Sequence, residues 1–215
     1  MIVTAVLLAA GNGSRLGRGP KALLPYHGRP LVEHIAGALF DGGCDDVVVI
    51  LGADAARVRA ECRLERCTVV ENPDWASGMA SSFKAGVAAV GGADAIEEVG
   101  AAEDTDAVLI ALVDQPHISA GLVQHLLQVH RPERITAAHY ADARRPSHPM
   151  IFEPVYARQA AELAQDDAGA RTFLRRNPDL IDLVDCTGSG DDADIDTADD
   201  LHLLEGESFG RGNQP

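Results

Sequence analysis

VLLAAGNGSRLGRGPK, residues 6–21, decides how the rest of the chain is read. An apolar run from Val3 to Ala10 stops abruptly at Gly11-Asn12-Gly13-Ser14, with Arg15 and Lys21 just beyond. A short apolar run ended by glycines predicts a buried strand entering a tight turn. Glycines let the backbone approach a ligand closely, and successive N–H groups there can cradle phosphate oxygens. The arginine and lysine add the positive charge that a polyphosphate requires. The segment reads as a nucleotide-binding loop opening an α/β domain, against the plainer reading of a strand–turn–helix junction with incidental basic residues. The P-loop pattern fails, because Ala22 follows Lys21 where Ser or Thr is needed. The dinucleotide fingerprint fails in part: residue 16 is Leu, and the third glycine comes one place late, at Gly17.

Outward from this loop, apolar runs bounded by turn signals recur at Ile2–Ala9, Asp46–Leu51, Cys67–Val70, Ala107–Leu112, Ile135–Ala138 and Leu180–Val184. Helix-like stretches lie at Leu31–Phe40, Ala55–Cys62, Ser81–Val90, Ala120–Val129 and Tyr156–Leu163. Strands alternating with helices predict βαβ units and a mostly parallel sheet covered on both faces. Ligands then sit outside the carboxyl ends of the strands, where Gly11, Asn72 and Asp114 converge on one cleft. Residues 91–106 are rich in Gly, Ala and acids and read as a surface excursion. The tail, residues 205–215, has no apolar periodicity and reads as frayed, leaving residues 1–204 as a single domain.

The 215 residues carry 18 Lys and Arg against 33 Asp and Glu, a formal charge of −15. That balance argues against nucleic acid or an anionic membrane as partner. An anionic ligand must be met by a local basic patch or a metal ion. Cys44, Cys62, Cys67 and Cys186 show no paired spacing, which disfavours a zinc site or a disulfide framework. The N-terminal apolar run is too short to span a membrane and has no basic leader, so the expectation is a soluble, reduced, cytoplasmic protein.

Asp114 follows the apolar run Ala107–Val113 directly, with Gln115-Pro116 fixing the turn. A hard cation such as Mg²⁺ takes one or two protein carboxylates plus phosphate oxygens and waters. Asp194 and Asp196 offer a second pair, on one face if extended. Thr197, with Asp200 three residues on, also resembles a capping box, and both roles are compatible. Asp191 and Asp192 read as solvated loop acids. Trp75 reads as a packing residue with stacking left open. His148-Pro149 follows Arg144 and Arg145, a basic cluster suited to an anionic acceptor or to plain solvation. The other histidines show no metal-ligand spacing.

Together these segments resemble the MobA-like nucleotidyltransferases, the molybdenum-cofactor cytidylyl- and guanylyltransferases. The resemblance rests on LLAAGNGSRLGRGPKALLPYHGRPLVEH, ENPDWASGMASSFKAG, LVDQP, the SHP of RRPSHPMIF, DDAGAR and DIDTADDL, in that order from Val3 to about Leu204. The NPDW and DAGAR segments look more like the cytidylyl branch. The resemblance implies a Rossmann-like three-layer sandwich of the nucleotide-diphospho-sugar-transferase type. It places Leu8, Ala9, Ala10, Gly11, Gly13, Ser14, Arg15, Lys21, Asn72, Gly78, Ser81 and Asp114 around a nucleoside triphosphate. Mg²⁺ would be held by Asp114 and Asp194, with Asp196 nearby. Gln115, His148, Asp167, Gly169 and Arg171 would face a phosphorylated acceptor, molybdopterin, and the product would pass to a molybdenum hydroxylase. Three departures stand out: an extra residue between Gly17 and Lys21, which Gly19 can absorb in a turn; Ser147 where glycine is common; and Asp166-Asp167 where Gly-Asp is usual.

The implied reaction is attack by the acceptor phosphate on the α-phosphorus of the triphosphate, with CTP favoured and pyrophosphate released. Such transfer asks for in-line positioning and charge neutralisation. Arg15, Lys21 and Asp114 are the catalytic candidates, and Lys21, read as an exposed loop residue, is expected to add little to fold stability. The rivals are a nucleotidyltransferase for a sugar phosphate or phospho-acid, a non-catalytic cofactor carrier for a molybdenum hydroxylase, and, weakest, a dinucleotide-dependent reductase. The last lacks both the fingerprint glycine and an evident acid for a ribose.

Overall fold

The computed structural model describes residues 1–90, 105–141 and 143–205. The predicted excursion therefore lies outside the described residues except for Thr105 and Asp106, and the predicted tail except for Glu205. The strands are β1 (Val3–Ala9), β2 (Pro25–Tyr26), β3 (Arg29–Pro30), β4 (Asp46–Leu51), β5 (Thr68–Glu71), β6 (Ala107–Leu112), β7 (Ile135–Tyr140), β8 (Ala143–Phe152) and β9 (Ile181–Asp185). The α-helices are α1 (Leu31–Asp41), α2 (Ala55–Glu61), α3 (Met79–Val90), α4 (Ala120–Val129), α5 (Pro154–Leu163) and α6 (Arg171–Arg176). Seven strands form one sheet in the order β5-β4-β1-β6-β8-β7-β9, while β2 and β3 make a separate small hairpin.

β1 lies at the centre, parallel to β4 on one side and β6 on the other. Its residues alternate between two apolar layers, which is why the run reads as continuously hydrophobic. Val3, Ala5, Leu7 and Ala9 join the core under α1, α2 and α4. Val6 and Leu8 join the core under α3, α5 and α6. A β-carbon on Gly86 of α3 would collide with Val6 Cγ1, so this glycine lets the helix settle onto β1. The sandwich is the expected α/β fold with helices on both faces.

The chain runs from β1 outward through β4 to β5, then crosses back to β6 on the other side of β1. Such a reversal opens a crevice at the carboxyl ends of the two central strands. Leu8 is paired with Leu112, so Ala10 and Asp114 leave the sheet side by side.

Sequence reading finds every strand of the large sheet except β8. Pro146 and Pro149 interrupt its segment, and prolines normally demote a strand. β8 runs antiparallel to both β6 and β7, with register irregularities around Ala138, and its His148–Pro149 peptide is cis. Because it is antiparallel, its amino-terminal half reaches the ligand end of the parallel strands.

Candidate active site

The loop after β1 is eleven residues, 10–20, leading to a 3-10 turn at Lys21–Leu23 instead of a helix. It curls onto itself: Leu16 and Gly17 N–H groups both donate to Gly13 O. Gly13 has φ +58°, and a β-carbon there would lie 2.5 Å from Gly19 O, so only glycine closes the loop. Gly19, expected to sit in a turn, has φ +83°. Arg15 and Ser14 are exposed on the loop.

The turn at the end of the loop carries Lys21 into the crevice. Its Nζ donates to Asp114 Oδ2 at 2.8 Å and to Asp196 Oδ1 at 2.6 Å. The Lys21 side chain is only 12% exposed. The expectation of an exposed loop lysine is thus corrected: the 3-10 turn folds its stem inward beneath the glycine loop. Burial opposes its charge, yet the two carboxylates, Asp114 foremost, more than offset that cost and raise its pKa. Asp114 stands two residues beyond β6, and its backbone O accepts from Ile195 N at 2.9 Å, which ties the C-terminal segment to the crevice.

That segment delivers Asp194 and Asp196. Gln115 Nε2 donates to Asp194 Oδ1 at 2.9 Å. Burial, then the nearby Asp114 carboxylate, pushes Asp194 up to about 6, with Asp196 adding to the effect and Gln115 and Lys21 opposing it. Asp200 fixes the segment from below by accepting from Thr197 N at 2.7 Å and Asp196 N at 3.1 Å. The expected capping box is present, at the start of a 3-10 segment, Ala198–Leu204.

Three carboxylates around one lysine leave a site short of positive charge. Gln115 Oε1, a buried acceptor beside Asp194, has no partner among the described residues. This all-oxygen donor set suits a hard divalent cation. Among the described residues no group of three or more His, Cys, Asp or Glu forms a ready metal cage. Mg²⁺ does not need one, because it shares its shell with phosphates and water.

Asn72 and Ser81 belong to a neighbouring network. Asn72, 4% exposed, donates to Ser81 Oγ and Ser82 Oγ and accepts from Asp74 N. Its polar atoms hold the turn that carries Trp75 and Gly78. Trp75 packs on the end of β4, where a β-carbon on Gly52 would fall 2.5 Å from Trp75 Cβ. Gly78 (φ +116°) meets the segment of Asp166 and Asp167: a β-carbon would lie 2.6 Å from Asp166 O. There Ala80 N donates to Asp166 O, and Met79 N to Asp167 Oδ1. The candidate nucleotide segment and the candidate acceptor segment are therefore in direct contact.

Gln115, His148, Asp167, Gly169, Arg171 and Asp194 line one cavity of about 690 Å³. Burial, then Arg171, lowers the His148 pKa to about 4. Asp192 also reaches this cavity and pairs with Arg145 at 3.1 Å, while Asp191 pairs with His117 at 2.7 Å, so neither acid is merely solvated. Arg145, expected in a basic cluster suited to an anionic acceptor, lines this cavity, and so does Arg175, which the sequence analysis does not single out. Arg175 lies four residues after Arg171, and that spacing was the available signal.

Among the described residues no helix is long and apolar enough to cross a membrane. A protein of Paenarthrobacter nicotinovorans named nicotine blue oxidoreductase is 46% identical over 207 residues, covering 94% of this chain and 96% of its own length. The molybdenum cofactor guanylyltransferase of Xanthomonas euvesicatoria pv. vesicatoria (strain 85-10) is 52% identical over 46 residues, 21% of this chain and 24% of that protein. The crystal structure of Rv0371c from Mycobacterium tuberculosis H37Rv superposes with a TM-score of 0.78 at 26% identity, covering 96% of this chain and 99% of that one. Rv0371c has also been crystallised in complex with manganese. A family model described as the MobA-like NTP transferase domain matches residues 5–180. With a glycine loop, a central lysine and converging carboxylates on that fold, the chain belongs to the MobA-like NTP transferase family, a family of nucleotidyltransferases.

Proposed function

We propose that the protein transfers a nucleoside monophosphate from a nucleoside triphosphate, CTP by preference, to a phosphorylated acceptor of the molybdopterin type, releasing pyrophosphate. The observation that carries this reading is Lys21 Nζ held between Asp114 and Asp196 directly beneath the glycine loop. A nucleotidyltransferase needs a fixed cation where phosphate charge accumulates, and this one is preorganised by two carboxylates. Arg15 would add charge from the loop rim, Gly11 and Gly13 would offer backbone N–H groups to phosphate oxygens, and Ser14, whose N–H donates to Asn12 Oδ1, would offer its hydroxyl. Leu8, Ala9 and Ala10 would support the nucleotide from β1, with Asn72, Gly78 and Ser81 setting the wall beside it. Gln115, His148, Asp167, Gly169 and Arg171 would bind the acceptor. Asp114 and Asp194, with Asp196 beside them, would hold Mg²⁺, which would offset the repulsion between two phosphate groups. The manganese complex of Rv0371c is in keeping with a divalent cation on this fold. The acceptor phosphate is already ionised, so no general base is required. The setting is the cytoplasm, with a molybdenum hydroxylase as recipient of the product.

A second reading, a reductase, is favoured by the full-length relative named an oxidoreductase. Asp54 gives it some support, standing at the carboxyl end of β4 beside β1, where dinucleotide folds place their ribose-binding acid. Against it, no helix opens directly after β1 to receive a pyrophosphate. Pyrophosphate release from CTP, GTP, ATP and UTP, with Mg²⁺ and with or without molybdopterin cofactor, tests the first reading. Oxidation of NADH or NADPH in the presence of nicotine blue, the dye in that relative's name, tests the second. Release with CTP and cofactor alone supports the proposal; dye-dependent dinucleotide oxidation without release transfers the assignment to the reductase.

A further inference from the structure

We propose that the 690 Å³ cavity takes an aromatic acid, its ring seated on an apolar floor and its anionic group held by Arg171 and Arg175. The proposal rests on that cavity being the acceptor site and specifies what the acceptor must look like. The volume falls within the range of small-molecule sites. Its floor includes Phe83, Ile110, Met150, Phe152 and Leu174, all buried. Phenylalanine rings and methionine thioethers are favourable partners for an aromatic ring.

Six charged residues line this cavity, and four of them have partners. Arg145 pairs with Asp192 at 3.1 Å, Asp194 accepts from Gln115 at 2.9 Å, and Asp167 accepts from Met79 N at 3.2 Å. The guanidinium groups of Arg171 and Arg175 have no hydrogen bond or ion pair among the described residues. They stand four apart on α6, where two like charges face the same side and destabilise a helix. Arg176 can serve the negative end of the helix dipole from outside the cavity, so that role does not account for Arg175. His148 beside them is neutral at ordinary pH, with a pKa lowered to about 4, and adds no competing cation. Two guanidinium groups at this spacing suit a carboxylate, sulfonate or phosphate, and a bound anion would remove their mutual repulsion.

The test uses two fluorescent probes of similar shape. One is 8-anilinonaphthalene-1-sulfonate, an aromatic acid; the other is N-phenyl-1-naphthylamine, which is neutral. Both are titrated into the wild type, Arg171→Ala, Arg175→Ala and Arg158→Ala, the last an exposed arginine on α5 outside the cavity. The expected result is binding of both probes by the wild type, with the acid about tenfold tighter, the worth of a charge-assisted hydrogen bond. Arg171→Ala and Arg175→Ala remove that advantage and leave the neutral probe unchanged, while Arg158→Ala alters neither. Failure of the neutral probe to bind, equal affinities in the wild type, or equal loss from Arg158→Ala would overturn the proposal. No nucleotide is present, so a missing transferase activity leaves this outcome intact, and a failed probe leaves pyrophosphate release to be judged separately.

Discussion

Lys21 organises the centre, and replacing it has two separable consequences. Lys21→Ala removes the cation proposed to face the phosphates and should lower kcat by about 10²-fold or more, as does loss of one preorganised electrostatic group. It also strands Asp114 and Asp196 beside Asp194, so unlike a surface lysine it should cost about 1–2 kcal/mol of stability. Added Mg²⁺ should then raise the Tm of the variant more than that of the wild type. Thermal melts with and without the ion check this, and equal shifts would remove the carboxylates as its ligands. Two histidines make a different prediction. Burial, then His27 and Arg29, lowers His34 to about 4, and His148 is lowered to about 4 by burial and Arg171. In the unfolded chain both titrate near 6.5, so that state binds more protons at intermediate pH. Their stabilising effect is complete above about 6.5 and declines as pH falls toward about 4. The urea midpoint should follow that course, with a shallower slope in His34→Gln; an unchanged slope would place the protons elsewhere.

Among the elements, β1 and β8 mark the two extremes of what the sequence discloses. β1 is legible because burial on both faces makes it continuously apolar and the glycines mark its end. β8 is hidden because its two prolines and polar residues imitate a loop, although neighbours on both sides complete its pairing. The site divides in the same way. Lys21 and Asp114 announce themselves by following a strand, whereas the contact of Lys21 with Asp196 spans 175 positions and leaves no local trace. The role of Asn72 in holding a turn, and the touch between Gly78 and Asp166, are likewise tertiary facts. Gly78 offers the sharpest test at this scale. Gly78→Ala meets both an unfavourable φ and the Asp166 backbone, and should destabilise by about 2 kcal/mol or more. Urea unfolding measures the loss. A variant as stable as the wild type would show that the α3 entrance and the segment at Asp166 can part at little cost.

Across the whole molecule the −15 charge sets the background. Self-repulsion of that size opposes the compact state and is screened by salt. The Tm should therefore rise as NaCl goes from about 0.02 M to about 0.5 M, screening distances from well above to below 10 Å. A falling Tm would mean that paired ions such as Arg134–Asp182 outweigh the repulsion. Asp196, the second carboxylate on Lys21, has a consequence for the chain as it is made. Domains fold on the ribosome as their segments emerge, amino-terminal parts first. All seven strands of the large sheet and the glycine loop precede residue 186, so the body of the fold can assemble while the last carboxylates are still to come. A nascent protein would then have the glycine loop before Asp194 and Asp196 complete the carboxylate cluster. Premature termination just after β9 would leave Lys21 without Asp196 and the core under α4 without Ile195, which is fully buried.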